Sequence, residues 1–250
     1  MTTTSEQISE VTRSLGDRSL PAGQARVLTI AQTYRSDLAD VWDAVTNAER
    51  IPRWLMPISG ELRLGGRYQL HGNASGTIER CEPPRFFAAT WEYGGQISWI
   101  EVTLTADGDD ATRVQVEHIA HVDDETSALY GPGAVGIGWD MMLLGLSGHL
   151  GSGVGVSPEN AEAWMVSPDG LAFMTASCHA WRDADIAYGT DPVAAREAAD
   201  RCLAAYTGAP QADAGASQDD SGAPQDDSGA PEVDAGASQD DPGAPQDEQG

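Results

Sequence analysis

Along residues 97–105 and 113–121 apolar and polar side chains alternate. Ile100, Val102 and Leu104, then Val114 and Val116, fall on one face, while Glu101, Thr103, Arg113, Gln115 and Glu117 fall on the other. A period of two is that of a strand, and this distribution gives a sheet one apolar and one wet face. Segments 58–64, 67–71, 77–81 and 86–93 also read as strands, punctuated by Gly65-Gly66, Gly72-Asn73, Pro83-Pro84 and Gly94-Gly95. With Asp107-Gly108 turning the chain between the last two, the six strands make an antiparallel meander. Upstream, residues 26–34 are β-rich. Ser36 is then placed to cap a helix carrying Leu38, Val41, Trp42 and Val45 at helical spacing, and a second short helix covers 48–55.

The apolar sheet face needs a cover. The candidate is a helix over 136–150, where Trp139, Met142, Leu143, Leu146 and Leu150 form one stripe and Asp140 falls one residue off it, toward solvent. A curved antiparallel sheet closed by a long helix is an α+β arrangement. Beyond residue 155 the pattern is helical only: Ser157-Pro158, Ser167-Pro168 and Asp191-Pro192 are helix starts, and Gly189 and Gly208 are stops. The longest of these helices, 168–188, carries Leu171, Met174, Cys178 and Trp181 on one side. Such helices are too few to fold alone, so 156–207 reads as an extension packed on a 25–155 domain, after a flexible 1–24 segment.

Residues 208–250 differ in kind. Glycine recurs every seven residues from Gly208 to Gly250, with 11 acidic side chains and no basic ones. Nothing there can bury apolar area against the entropy of ordering, so a disordered acidic tail is expected. It reads either as a solubilising or docking tail or as a slippage repeat without a role. The chain as a whole has 14 basic residues, all Arg, against 39 acidic ones, a formal charge of -25. That balance argues against nucleic-acid binding and against adhesion to anionic lipid. The stretch 133–156 is interrupted by Asp140, His149 and eight glycines, so membrane insertion is not expected. Cys81, Cys178 and Cys202 show no ligand or disulfide spacing and read as small core residues. With no secretory leader in the first twenty residues, a cytoplasmic location fits.

Several spaced motifs now fall into a known order. They are Val41-Trp42-Asp43-Ala44-Val45-Thr46, Arg53-Trp54-Leu55, Gly65-Gly66-Arg67-Tyr68, Gly76-Thr77-Ile78-Glu79, Pro83-Pro84-Arg85 leading to Thr90-Trp91-Glu92-Tyr93, Thr112-Arg113-Val114 to His118, and Gly138-Trp139 ahead of Leu143 and Leu146. Over residues 25–152 this pattern resembles the SRPBCC (START-like, Bet v 1-like) superfamily, in the branch similar to the activator of Hsp90 ATPase C-terminal domain. The resemblance implies a helix-grip cup: a strongly curved sheet wrapped around the closing helix, with an elongated apolar cavity between them. Candidate ligand-contacting residues are Trp54, Tyr68, Ile78, Phe87, Trp91, Ile100, Val102, Val116, His118, Trp139, Met142, Leu143 and Leu146. The plainer alternative is that the aromatics fill the centre and leave no cavity.

The polar candidates are few. His118 continues the inward register of Val114 and Val116, so it is either a ligand handle or general base, or a core histidine satisfied by a neighbouring strand or by Tyr68. His118 and His121, followed by Asp123 and Asp124, evoke a metal site, but residues three apart on a strand face opposite ways. One of Glu79 and Arg80 should enter the cavity. No cofactor and no metal are expected. The leading expectation is a binding protein for a hydrophobic or aromatic small molecule. A chaperone-interacting protein and a cyclase, dehydratase or hydrolase using His118 are the alternatives. Residues 1–24 are too short for the separate chaperone-binding domain of Hsp90 activators, which ranks ligand binding first.

Overall fold

The computed structural model describes residues 4–122, 128–153 and 158–208; Asp123, Asp124 and the repeat 209–250 lie outside the described residues. The elements in chain order are helix α1 (Thr4–Glu10), strands β1 (Thr12–Leu20) and β2 (Gly23–Tyr34), helix α2 (Leu38–Thr46) and a 3-10 turn (Ile51–Arg53). Strands β3 (Ile58–Gly60), β4 (Arg67–Leu70), β5 (Ser75–Glu82), β6 (Phe86–Tyr93), β7 (Gln96–Ala106) and β8 (Thr112–His121) follow. Helices α3 (Gly133–Ser152), α4 (Pro158–Met165), α5 (Pro168–Tyr188) and α6 (Pro192–Thr207) come next among the described residues. All strands join one antiparallel sheet in the order β1-β2-β8-β7-β6-β5-β4-β3. The α+β helix-grip arrangement is the observed one.

The segment expected to be flexible, residues 1–24, contributes α1 and a nine-residue strand that pairs with β2 from Thr12↔Ala31 to Leu20↔Gly23. Its residues, TRSLGDRSL, bury little apolar area, so no periodicity announces them. Pairing of the backbone with β2 supplies the order instead. Asp37 replaces Ser36 as the cap of α2: its carboxylate accepts from the N–H of Ala39 and Asp40, while Ser36 hydrogen-bonds to Asp40. β3 stops at Gly60 (φ 102°), because residues 61–66 fold back, with the Gly65 N–H donating to the Ile78 carbonyl and the Ile78 N–H to that of Gly66.

Helix α3 is buried on two sides. Trp139, Leu143 and Leu146 belong to the main core, together with the inner face of β2, β7 and β8. Ile137, on another side of the helix, packs with Met174 and Cys178 of α5 and with Ala199 and Cys202 of α6. A helix covered this way carries apolar residues around its circumference instead of one stripe. Gly136 permits the second contact, since a Cβ there would collide with the Trp181 ring of fully buried Trp181. Of the residues expected on the buried side of α5, Met174, Cys178 and Trp181 are buried, whereas Leu171 is 37% exposed.

Asp140 does not face solvent. It is 1% exposed, and its carboxylate accepts from Arg13 Nε (3.1 Å) and Nη2 (2.6 Å), Ser177 Oγ (2.6 Å) and Trp181 Nε1 (2.9 Å). Four donors from β1 and α5 replace the water that the carboxylate loses.

Candidate functional site

Between the concave sheet face and α3 lies a cavity of about 320 Å³. Period-two alternation in β4, β6, β7 and β8 sends Tyr68, Leu70, Phe87, Ala89, Trp91, Ile100, Val102, Val114 and Val116 into it, and α3 contributes Trp139, Met142, Leu143 and Leu146. One flank is closed by α2 and the chain that follows, through Trp42, Val45, Thr46, Ile51, Trp54 and Leu55. The Trp54 indole donates to the Ala44 carbonyl at 3.0 Å, fixing the ring against α2. Gly145 lets the Trp54 carbonyl rest directly on α3, where any Cβ would collide with it. Exposed Arg63 and Pro83 mark the rim.

A bulge in β5 redirects one residue. Ile78 pairs with Ala89 but Arg80 pairs with Ala88, so the inward register passes from Ile78 to Cys81. Both Glu79 and Arg80 are therefore exposed, and neither enters the cavity; Cys81 lines it. A bulge has no signature in a sequence of this kind, which is why that position escapes periodicity.

Twelve of the expected contact residues, Trp54, Tyr68, Ile78, Phe87, Trp91, Ile100, Val102, Val116, Trp139, Met142, Leu143 and Leu146, line the cavity. His118 does not. Its Nδ1 accepts from Trp139 Nε1 at 3.1 Å, so the ring proton sits on Nε2 and is donated to Ser98 Oγ at 2.8 Å; Ser98 in turn donates to the Trp91 carbonyl at 3.1 Å. Burial lowers the His118 pKa to about 4, keeping this tautomer neutral. Both ring nitrogens are committed, so His118 has no atom left for a ligand or for proton transfer. Its role is to hold two tryptophans, Trp91 and Trp139, whose rings meet at 5.2 Å between centroids and 46° between planes. His121 faces the other side of β8, edge-on to Trp99 at 5.6 Å. Among the described residues no group of three His, Cys, Asp or Glu could hold a metal.

The remaining polar lining groups are mostly bonded within the protein. Tyr68 donates to the Thr90 carbonyl at 2.7 Å, and burial, followed by the charge of Glu92, raises its pKa. Thr46 donates to the Trp42 carbonyl at 2.7 Å.

Residues missed by the sequence reading are Trp42, Val45, Thr46, Ile51, Leu55, Ile58, Leu62, Arg63, Leu70, Cys81, Pro83, Ala89 and Val114. For Trp42 and Val45 the signal was present, in the apolar side of α2; for Val114 it was the same register that places Val116. For Arg63 and Pro83, which lie in turns, there was none.

A curved sheet gripping a long helix around an apolar cavity defines a helix-grip, Bet v 1-like protein. The model of the family "Activator of Hsp90 ATPase homolog 1-like protein" matches residues 35–151. Two solved structures of CalU16 from Micromonospora echinospora are similar. The crystal structure has 34% identity and TM-score 0.55, covering 70% of this chain and 97% of that one; the solution structure has 35% identity and TM-score 0.61, covering 72% and 97%. A conserved protein of unknown function, EF2215 from Enterococcus faecalis, shares the fold at 12% identity and TM-score 0.51, over 75% of this chain and 96% of that one. No curated protein matches. The chain belongs to the SRPBCC superfamily, in its branch of Hsp90 ATPase activator homologue-like proteins. Among the described residues, no helix is long and apolar enough to cross a membrane.

Proposed function

We propose that this protein binds a hydrophobic or aromatic small molecule in the cup, in the cytoplasm and without a cofactor. The observation that carries the reading is the cavity itself: about 320 Å³, walled almost wholly by aliphatic and aromatic side chains, with a rim at Arg63 and Pro83. That volume suits a small ligand, and burying its apolar surface supplies the driving force. The free state of Cys81, Cys178 and Cys202 accords with a reducing compartment. Native mass spectrometry of the protein purified from its own host tests this directly. A retained small molecule, lost on denaturation, is the expected result; a bare chain, together with no saturable tryptophan response to a diverse apolar library, overturns it.

The family match favours a second reading, contact with an Hsp90-type chaperone. Stimulation of a purified chaperone's ATPase that is indifferent to filling the cavity supports that reading over ligand binding. An enzymatic role for His118 is not proposed, because both of its nitrogens are engaged by Trp139 and Ser98.

A further inference from the structure

Two thiols of the helical extension meet at a point the cavity does not use. Cys178 on α5 and Cys202 on α6 stand twelve residues on either side of Thr190, in the turn joining these helices. Helices joined by so short a turn run antiparallel, so positions equidistant from the turn lie opposite each other. α6 buries Ala195, Ala198 and Ala199, and side chains that small let the two backbones come close. Cys178 Sγ accordingly reaches the α6 backbone, donating to the Ala199 carbonyl at 3.2 Å. Cys202 follows Ala199 by one turn, and a helical side chain leans toward its own N-terminus, which brings the second sulfur down on the same spot. Both close over Gly133: a Cβ there would sit 3.1 Å from Cys202 Sγ and 3.8 Å from Cys178 Sγ. Hydrogen bonding with Cys202 holds the Cys178 thiol below the usual thiol range.

We propose that Cys178 and Cys202 are a peroxide-reactive dithiol that closes to a disulfide tying α5 to α6. The Cys178 thiolate attacks one oxygen of hydrogen peroxide; an S–O bond forms, the O–O bond breaks, and hydroxide leaves and takes up the proton that Cys178 released. Cys202 then attacks the sulfenic sulfur, forming the S–S bond and expelling the second oxygen, which departs as water with the Cys202 proton. Two thiols are oxidised and one peroxide is reduced to two waters. Both sulfurs are buried, so the reaction proceeds through openings of the α5/α6 hairpin and is slower than at an exposed thiol. The product closes a loop across the hairpin and stabilises the extension.

The test exposes the full chain to hydrogen peroxide, alkylates it under denaturing conditions without reductant, and maps the digested peptides. A peptide pair joined through Cys178 and Cys202 is expected, reversed by dithiothreitol, with Cys81 recovered separately and a thermal midpoint higher by roughly 5 °C. Recovery of Cys178 and Cys202 as two alkylated thiols while Cys81 is oxidised overturns the proposal, as does a linkage through Cys81. In Cys202→Ser a sulfenic acid should remain at Cys178, whereas Cys178→Ser should leave Cys202 reduced. Equal oxidation of Cys202 in that variant overturns the assignment of Cys178 as the attacking thiol.

Discussion

Arg13 and Asp140, separated by 127 residues, form a two-pronged ion pair with side chains 6% and 1% exposed. The Arg13 guanidinium also donates to the carbonyls of Ile8 and Val11, and Asp140 also accepts from Ser177 and Trp181. One carboxylate on the closing helix therefore fastens both the N-terminal strand and the C-terminal extension to the cup. Its neighbour Trp139 faces the cavity.

Asp140→Ala should destabilise the protein by about 3–5 kcal/mol in chemical denaturation, because it leaves a buried guanidinium without its counter-charge and the Ser177 and Trp181 donors without their carboxylate acceptor. The double variant Arg13→Met with Asp140→Leu should recover a large part of that loss. A single variant as stable as the wild type would contradict the burial described here.

Gly136 lies beneath the Trp181 ring. Replacement by Ala should cost about 1–3 kcal/mol by overpacking, since Trp181 is fully buried and has nowhere to retreat. Trp181→Leu in the Gly136→Ala background should relieve the strain, measurable as a coupling energy in a double-mutant cycle.

His118 has a pKa of about 4 in the folded protein and 6.5 as its ordinary value. The unfolded chain therefore binds a proton that the folded one refuses between those values. The contribution of the neutral ring is complete above about pH 6.5 and falls away as pH drops toward 4, by roughly 3 kcal/mol in all. Subtracting the stability curve of His118→Gln from that of the wild type should isolate this slope. The carboxylates with lowered pKa, Asp40, Asp43 and Glu92, and the other histidine with lowered pKa, His149, are common to both proteins and cancel. A flat difference between pH 4 and 6.5 would show that the ring titrates freely. Because both nitrogens are occupied, His118→Ala should weaken polar and apolar ligands alike, through loosening of Trp91 and Trp139.

Leu146, buried on α3 and lining the cavity, is the position at which to fill it. Leu146→Trp should abolish any saturable ligand-induced shift in tryptophan emission while the protein still unfolds cooperatively within a few degrees of the wild type. Retained binding would place the ligand elsewhere.

Much of the cup follows from local order in the sequence. Ile100, Val102, Val114 and Val116 share a face because strand side chains alternate, and Trp139, Leu143 and Leu146 share one because a helix turns every 3.6 residues. These periods depend on the backbone alone, so the inner wall of the cavity was legible without partners. What each polar group does was not legible, because a buried polar group is defined by what meets it. Asp140 reads as solvent-facing until β1 delivers Arg13 and α5 delivers Ser177 and Trp181; His118 reads as a ligand handle until Trp139 and Ser98 occupy its nitrogens. The bulge after Ile78, which turns Cys81 inward, and the strand β1, which holds its place by backbone pairing with β2, depend on long-range pairing in the same way. Periodicity encodes which face a side chain takes, whereas the cost of burying charge and hydrogen-bonding groups is settled only by donors and acceptors that the tertiary fold brings from elsewhere in the chain.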